Sequence, residues 1–185
     1  MNGYVLDSCT LLNLYCAWGS IANLKAFPVR FYLGTGVEAE IHHVREFDAR
    51  GGIVGKKLST VELARHYPLE ALAPTTAETE LMVRMSQWLD DGEAQGLAIA
   101  VSRNMVFCTD DGAVRKLLKA QAIEAKLATT PELLQGWAGS DTKRLATLPD
   151  AVRRVVELGK FRPHRSSPHF EWWTHTLGGT VEQHE

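Results

Sequence analysis

The chain has 185 residues, 45% hydrophobic and 23% charged, with a formal net charge of −2. That is enough apolar material for one compact core with a small appendage, and too much for disorder throughout. Overall charge excludes polyanion binding by bulk attraction, so a nucleic-acid partner would have to be held by a local basic patch. The three cysteines, Cys9, Cys16 and Cys108, are odd in number and lack zinc-type spacing, so reduced and mostly buried thiols are expected. No basic-then-apolar leader opens the chain, and no apolar run approaches the roughly 18 residues of a membrane span. The expectation is a cytoplasmic protein with no membrane partner.

In chain order, residues 3–6 read as a short buried strand, with Asp7 at the turn and Ser8 able to cap a helix running to about Gly19. Phe27 to Leu33 reads as a second strand. The glycines of Gly34-Thr35-Gly36 then allow a tight turn into a helix carrying Val37, Glu38, Glu40 and Ile41, and Glu40 or Glu38 could face the same centre as Asp7. Residues 45–60 are polar, glycine-containing and basic, which fits an exposed loop or hairpin. Arg45, Arg50, Lys56 and Lys57 are the first candidates for contact with a nucleic acid, against the plainer alternative of a solvated loop.

Ser59 to His66 reads as a short helix, followed by a loop around Pro68 and Pro74. Leu81, Met82, Met85 and Leu89 then keep a period near 3.6, which makes that face core. A further helix runs from Glu93 to Arg103 with small inward residues and Asp90 or Asp91 as its cap. The strand Val106–Cys108 ends in Asp110 and Asp111, and a helix follows from Ala113 to Ala122. Ile123 to Ala128 is a weaker strand signal. Thr130-Pro131-Glu132 and Leu148-Pro149-Asp150 each read as a helix start. The alternation of strand and helix gives an α/β fold with a mainly parallel sheet.

Three strands or helix starts thus carry acids at their junctions: Asp7, then Asp90, Asp91 and Glu93, then Asp110 and Asp111. Capping explains one acid at each place but not the surplus. In α/β proteins the carboxyl ends of the strands are where chemistry is placed, and several carboxylates gathered there suit a hard divalent cation that wants oxygen ligands. Other chemistries fit less well. His42, His43, His66, His164, His169 and His175 lack zinc-ligand spacing, and no nucleophile elbow, Walker loop or dinucleotide-binding glycine pattern occurs. A haloacid-dehalogenase-like phosphatase would need an aspartate two residues after Asp7, where Cys9 stands.

The chain resembles the PIN-domain nucleases, including the small toxin ribonucleases of that family. The resemblance rests on Val5-Leu6-Asp7-Ser8 with Asn13 following, on Val37-Glu38-Ala39-Glu40-Ile41, on Asp91-Gly92-Glu93-Ala94, and on Thr109-Asp110-Asp111 with Arg115. It covers about residues 3–135. It implies a PIN-like three-layer α/β/α arrangement over residues 1–139, with residues 140–185 as a helical and aromatic, basic extension. It also implies a Mg2+- or Mn2+-dependent endoribonuclease in which Asp7, Glu40, Glu93 and Asp111 are catalytic and hold the metal, with Asp110 a competitor of Asp111. Ser8, Asn13, Asp91 and Arg115 match supporting positions. RNA as substrate and a cognate antitoxin as partner follow from the same resemblance; the alternative is a non-catalytic PIN-fold module that binds nucleic acid or protein. Glu93, where many members have aspartate, and the long insertion between Glu40 and Leu81 depart from the common pattern.

Beyond Gly159 the composition turns basic and then aromatic, with Lys160, Arg162, His164 and Arg165 followed by Phe170, Trp172 and Trp173. This segment either contacts RNA, through cations and stacking faces, or docks its aromatics on the body or on a second subunit of a homodimer.

Overall fold

The computed structural model describes residues 3–40 and 43–178, apart from the side chains of residues 38–40 and 60. Ile41 and His42 therefore lie outside the described residues, as do the side chains of Glu38 and Glu40. Among the described residues no helix is long and apolar enough to cross a membrane.

Five short strands, β1 (Gly3–Leu6), β2 (Arg30–Gly34), β5 (Glu70–Leu72), β6 (Val106–Cys108) and β7 (Lys126–Ala128), form one parallel sheet. Their order is β5-β2-β1-β6-β7. The chain builds outward from β1 in one direction through β2 and β5, then returns to the other side of β1 with β6 and β7. The boundary between β1 and β6 is thus a topological switch point, where the loops leaving the two strands part to opposite sides and leave a crevice.

The pleat sends alternate residues to opposite faces, and both faces are covered. Leu6, Phe31, Leu33 and Cys108 pack with Leu11 and Leu14 of α1 (Ser8–Trp18) and Leu133 and Leu134 of α7 (Thr130–Ala138). Val5, Tyr32 and Phe107 face the other way, onto α5 (Asp91–Ser102), α6 (Gly112–Ala120) and the end of α4 (Thr76–Met85). The result is a three-layer α/β/α fold, with the expected parallel sheet. The small residues of α5 let it approach closely: a Cβ at Gly96 would come within 2.7 Å of the Phe107 ring.

Several local expectations shift. The second strand starts at Arg30 rather than Phe27, because a 3-10 turn over Ile21–Ala26 occupies the approach to it. The loop around Pro68 contains the edge strand β5, which pairs with Tyr32 to Gly34. Residues 43–57 form the antiparallel hairpin of β3 (His43–Phe47) and β4 (Ile53–Lys57), followed by α3 (Thr60–His66). Pro149 does not open a helix. It lies inside α8 (Thr142–Arg154), which starts at the Asp141 cap. Proline there deprives the Leu145 carbonyl of its usual partner, but Leu145 is 45% exposed and on the solvent side.

The C-terminal extension shares the main core. Leu148, Ala151, Val152 and Val155 pack in the cluster that contains Leu11 and Leu14. A π-helical turn over Val155–Gly159 ends at Lys160, whose left-handed conformation (φ 58°) redirects the chain. The short α9 (Phe170–Thr176) then buries Trp173 to 2% exposure, edge-on to Phe161 with ring centroids 5.5 Å apart. Truncating a buried aromatic of this size costs about 3–5 kcal/mol. Trp173→Ala should accordingly lower the free energy of unfolding, measured by chemical denaturation, by an amount in that range. A loss below about 1 kcal/mol would show that α9 rests on the surface without contributing to the core.

Candidate functional site

Pairing of β1 with β6 sets Leu6 beside Cys108, and the Asp7 amide donates to the Cys108 carbonyl at 3.0 Å. Thr109 in turn donates from its amide to Ala128 at 2.9 Å. The residues that follow the strands, Asp7 on one side and Asp110 and Asp111 on the other, are therefore delivered to one end of the sheet at the switch point.

Asp7, not Ser8, caps α1: its carboxylate accepts from the Thr10 amide. Both residue types are good caps, and the chain's choice puts a carboxylate at 2% exposure beneath the helix start. Burial pushes the Asp7 carboxyl up to about 6; hydrogen bonds from Thr109 and Thr10 oppose the rise and the charge of Asp110 adds to it. Ser8 follows as the first helical residue, half-buried.

Asp110 is pinned. It accepts from the Thr130 amide at 2.9 Å, from the Thr130 hydroxyl, and from Asn13 Nδ2 at 3.1 Å. Burial still raises its carboxyl, against these bonds and the pull of Arg115. The helix cap expected at Thr130 falls one residue earlier, on Thr129, which forms a capping box with Glu132 and frees Thr130 for Asp110. Asn13 is backed from behind by the C-terminal extension: a Cβ at Gly159 would come within 2.6 Å of Asn13 Oδ1. The glycine is thus a close-approach position tying the π-helical turn to the acid site.

Asp111 is exposed and caps α6 through the Ala113 amide at 2.7 Å, while its own amide donates to Thr109 Oγ1 at 3.0 Å. Asp90 caps α5 through the Glu93 amide at 2.8 Å, and Asp91 is exposed as the first residue of that helix. Glu93 is the most crowded acid. Burial, then the charges of Asp90, Asp111 and Asp7, push it up to about 8. Partial burial together with Asp7, Glu93 and Asp110 likewise drives the neighbouring Cys9 thiol up to about 11. Asp7, Glu93, Asp110 and Asp111 accordingly share one electrostatic neighbourhood, although among the described residues no three acids, histidines or cysteines already form a metal cage.

Gln95, a residue with no obvious sequence signal, fixes α2 (Thr35–Glu40) beside this neighbourhood. Its buried amide oxygen accepts from the Gly36 amide at 2.7 Å and the Thr35 hydroxyl at 3.3 Å. A side chain at Gly34 would strike that oxygen at 2.6 Å. The helix that carries Glu38 and Glu40 is thereby tied to the helix that carries Glu93.

The four basic hairpin residues differ in their commitments. Lys56 pairs with Glu62 at 3.2 Å and Glu46 at 3.6 Å and donates to the Tyr15 hydroxyl, and Arg45 donates to the Leu158 carbonyl at 3.3 Å. Arg50 and Lys57 are exposed.

Comparison of the chain with protein-family models, with curated proteins and with solved structures returned no match.

A folded-state carboxyl raised above its unfolded value makes the native state hold more protons, so stability falls as pH rises between the two values. For Asp7 that window runs from about 4 to about 6, and for Glu93 from about 4.5 to about 8. Thermal unfolding of the metal-free protein should therefore show a midpoint that declines from pH 6 to pH 8, with a flatter profile in Glu93→Gln. Asp7→Asn keeps a competent cap and removes a buried charge, so at pH 7 it should stabilise the metal-free fold by on the order of 1–3 kcal/mol. A midpoint that climbs across this window would contradict the electrostatics of the site.

Proposed function

We propose that the chain is a PIN-type, metal-dependent endoribonuclease that hydrolyses RNA phosphodiester bonds, with Mg2+ or Mn2+ as its cofactor. The observation that carries the reading is the delivery of Asp7, Asp110 and Asp111 to one end of the sheet by the β1–β6 pairing, with the charges of Asp111 and Asp7 acting on Glu93. Carboxyls gathered in this way suit a shared cation, and among the described residues no buried lysine or arginine neutralises them. The donor chemistry fits: all the groups offer hard oxygens of the kind that hold magnesium or manganese.

Asp7 and Asp111 would hold the ion directly, with Glu93 and Glu40 acting through water or at a second ion. Asp110, pinned by Thr130 and Asn13, holds a further set of carboxyl oxygens beside them. When bound, a divalent ion lowers the pKa of a coordinated water and stabilises charge on the phosphate undergoing attack. The chain's own contribution is positional. The helix caps at Asp7 and Asp111 hold each carboxylate's backbone in place, Asn13 and Thr130 orient Asp110 and oppose the rise that burial imposes on its carboxyl, and Gln95 keeps α2 against α5. Neutralising the crowded carboxyls also removes the electrostatic penalty that their mutual repulsion imposes. The resemblance further suggests a toxin of a toxin–antitoxin pair acting in the cytoplasm, with a cognate antitoxin or a second copy of the chain as protein partner.

The test is cleavage of a fluorogenic single-stranded RNA with and without Mg2+ or Mn2+. Asp7→Asn and Asp111→Asn should lose at least about 100-fold in metal-dependent rate, and Glu93→Gln and Glu40→Gln should lose less. Cleavage that persists in Asp7→Asn would contradict the assignment. Metal binding without any cleavage by the wild type would favour a binding module that keeps the fold.

A further inference from the structure

A cleft opens at the Asp110 side of the acid site. It has a volume of about 770 Å3, and Asp110 lies in its lining. One wall is the start of α6, with Arg115 and Lys116, and the base is formed by β7 and the start of α7. The opposite wall is the extended segment 161–169, which belongs to the C-terminal extension and lies outside the stretch that resembles PIN nucleases.

That wall is built into the fold at both ends. Phe161 packs edge-on to the buried Trp173, and Pro163 is buried. A turn is closed by the Ser167 amide on the His164 carbonyl at 2.8 Å and by a 2.8 Å contact between His164 Nδ1 and Ser166 Oγ. His169 Nε2 stands 3.6 Å from Glu132 Oε1, next to the α7 capping box.

The cations of the cleft are not among those the fold already uses, a property they share with exposed residues such as Arg50 and Lys57; what sets them apart is their place beside Asp110. Arg45, Lys56, Arg103, Arg144, Arg153 and Arg154 are each held by a carboxylate or a carbonyl. Arg115, Lys116 and Arg162 are exposed, and among the described residues none of the three has a hydrogen bond or ion pair. Three uncommitted cations thus rim a cleft whose other two acids are Asp110, in the acid site, and Glu132, which is occupied by Thr129 and His169. An acidic centre repels a polyanion, so a substrate that reaches it must be held by cations alongside, and these are the nearest ones free to do so. The volume lies within the range of ligand-sized clefts, and the cleft is open along one side.

We propose that this cleft is the substrate groove: it holds the backbone of single-stranded RNA next to the acid site, with Lys116 and Arg162 contacting phosphates from opposite walls and Arg115 between them and Asp110. The C-terminal extension therefore has two tasks, since its aromatics dock in the core while the linker before them forms half of the groove. This rests on the ribonuclease reading for the substrate class but not for the binding itself.

The experiment measures anisotropy of a labelled 12-nucleotide single-stranded RNA with the Asp7→Asn protein, with and without Lys116→Gln/Arg162→Gln, over a series of salt concentrations. Arg115 is left intact because its charge also acts on Asp110. Loss of two phosphate contacts should weaken binding at low salt by about 10-fold or more and reduce the salt slope by about 1.4, roughly 0.7 for each contact. The thermal midpoint should not change, and Arg153→Gln, on an arginine already paired with Asp150, should bind as its parent does. As a second readout, 4-thiouridine in the oligonucleotide should cross-link to residues 161–169. Affinity and slope that stay the same in the double variant, while the wild type cleaves RNA, would overturn the groove and leave the nuclease standing. The predicted loss in a protein whose wild type never cleaves would uphold the groove and sink the nuclease. Binding of polyglutamate in preference to RNA through the same two residues would overturn the proposal in favour of an acidic protein partner.

Discussion

The arrangement depends on one backbone hydrogen bond, from the Asp7 amide to the Cys108 carbonyl at 3.0 Å. It extends the β1–β6 pairing by one step past the ends of the strands. Because parallel strands present their carboxyl ends together, the acids after β1 and β6 must emerge at the same edge. Reversal of the sheet order at this boundary keeps the space above them open. A slip of register would move Asp7 away from Thr109 and Asp110 and turn Leu6 and Cys108 to the opposite face, against two cores at once. The hydrophobic alternation of Val5, Leu6, Phe107 and Cys108 thus enforces the geometry of the acid site.

The site and the fold pull against each other. Three of the junction acids have a structural use: Asp7, Asp90 and Asp111 cap helices, and caps of this kind contribute about 1 kcal/mol each. Capping favours the charged form, through the helix dipole and the amide donors. Asp7 and Glu93 nevertheless hold their protons to higher pH than free side chains do, because burial and mutual repulsion outweigh the caps. Acids kept where they destabilise the charged fold point to a purpose outside folding, and a divalent cation is the ligand that would reverse the penalty. Among the cations, those that serve the fold are already paired, and Arg115, Lys116 and Arg162 are unpaired ones that lie in the cleft with Asp110.

Much of this was legible in the sequence where the signal is local. Short apolar runs followed by an acid and a helical pattern marked the junctions after β1 and β6, and the small-residue face of α5 was visible in Ala94, Leu97, Ala98 and Val101. What could not be read depended on tertiary partners. Thr129 has in Glu132 the capping-box partner that Thr130 lacks, but that Thr130 is then taken up by Asp110, twenty residues away, is not written in the local sequence. The strand β5 has three residues, Glu70, Ala71 and Leu72, and exists because β2 offers them an edge. Pro149 suggests a helix start to any local rule, yet Asp141 opens the helix a turn and more earlier and the exposed side tolerates the break. Lys116 and Arg162 are distant in sequence, and packing of the C-terminal extension on the core brings their segments to one cleft. The basic composition of the linker hinted at a polyanion, and the aromatics at docking. The structure docks Trp173 in the core and places Arg162 and His164 of the linker in the lining of the cleft.

The convergence of the acids on a single cation is tested most directly by anomalous diffraction from crystals soaked in Mn2+. The account predicts one dominant peak bounded by the carboxyls of Asp7 and Glu93 and by Asp111 or Asp110, with manganese–oxygen distances of about 2.0–2.2 Å. A manganese peak elsewhere on the surface, or these carboxyls left unchanged and without metal at saturating Mn2+, would contradict it.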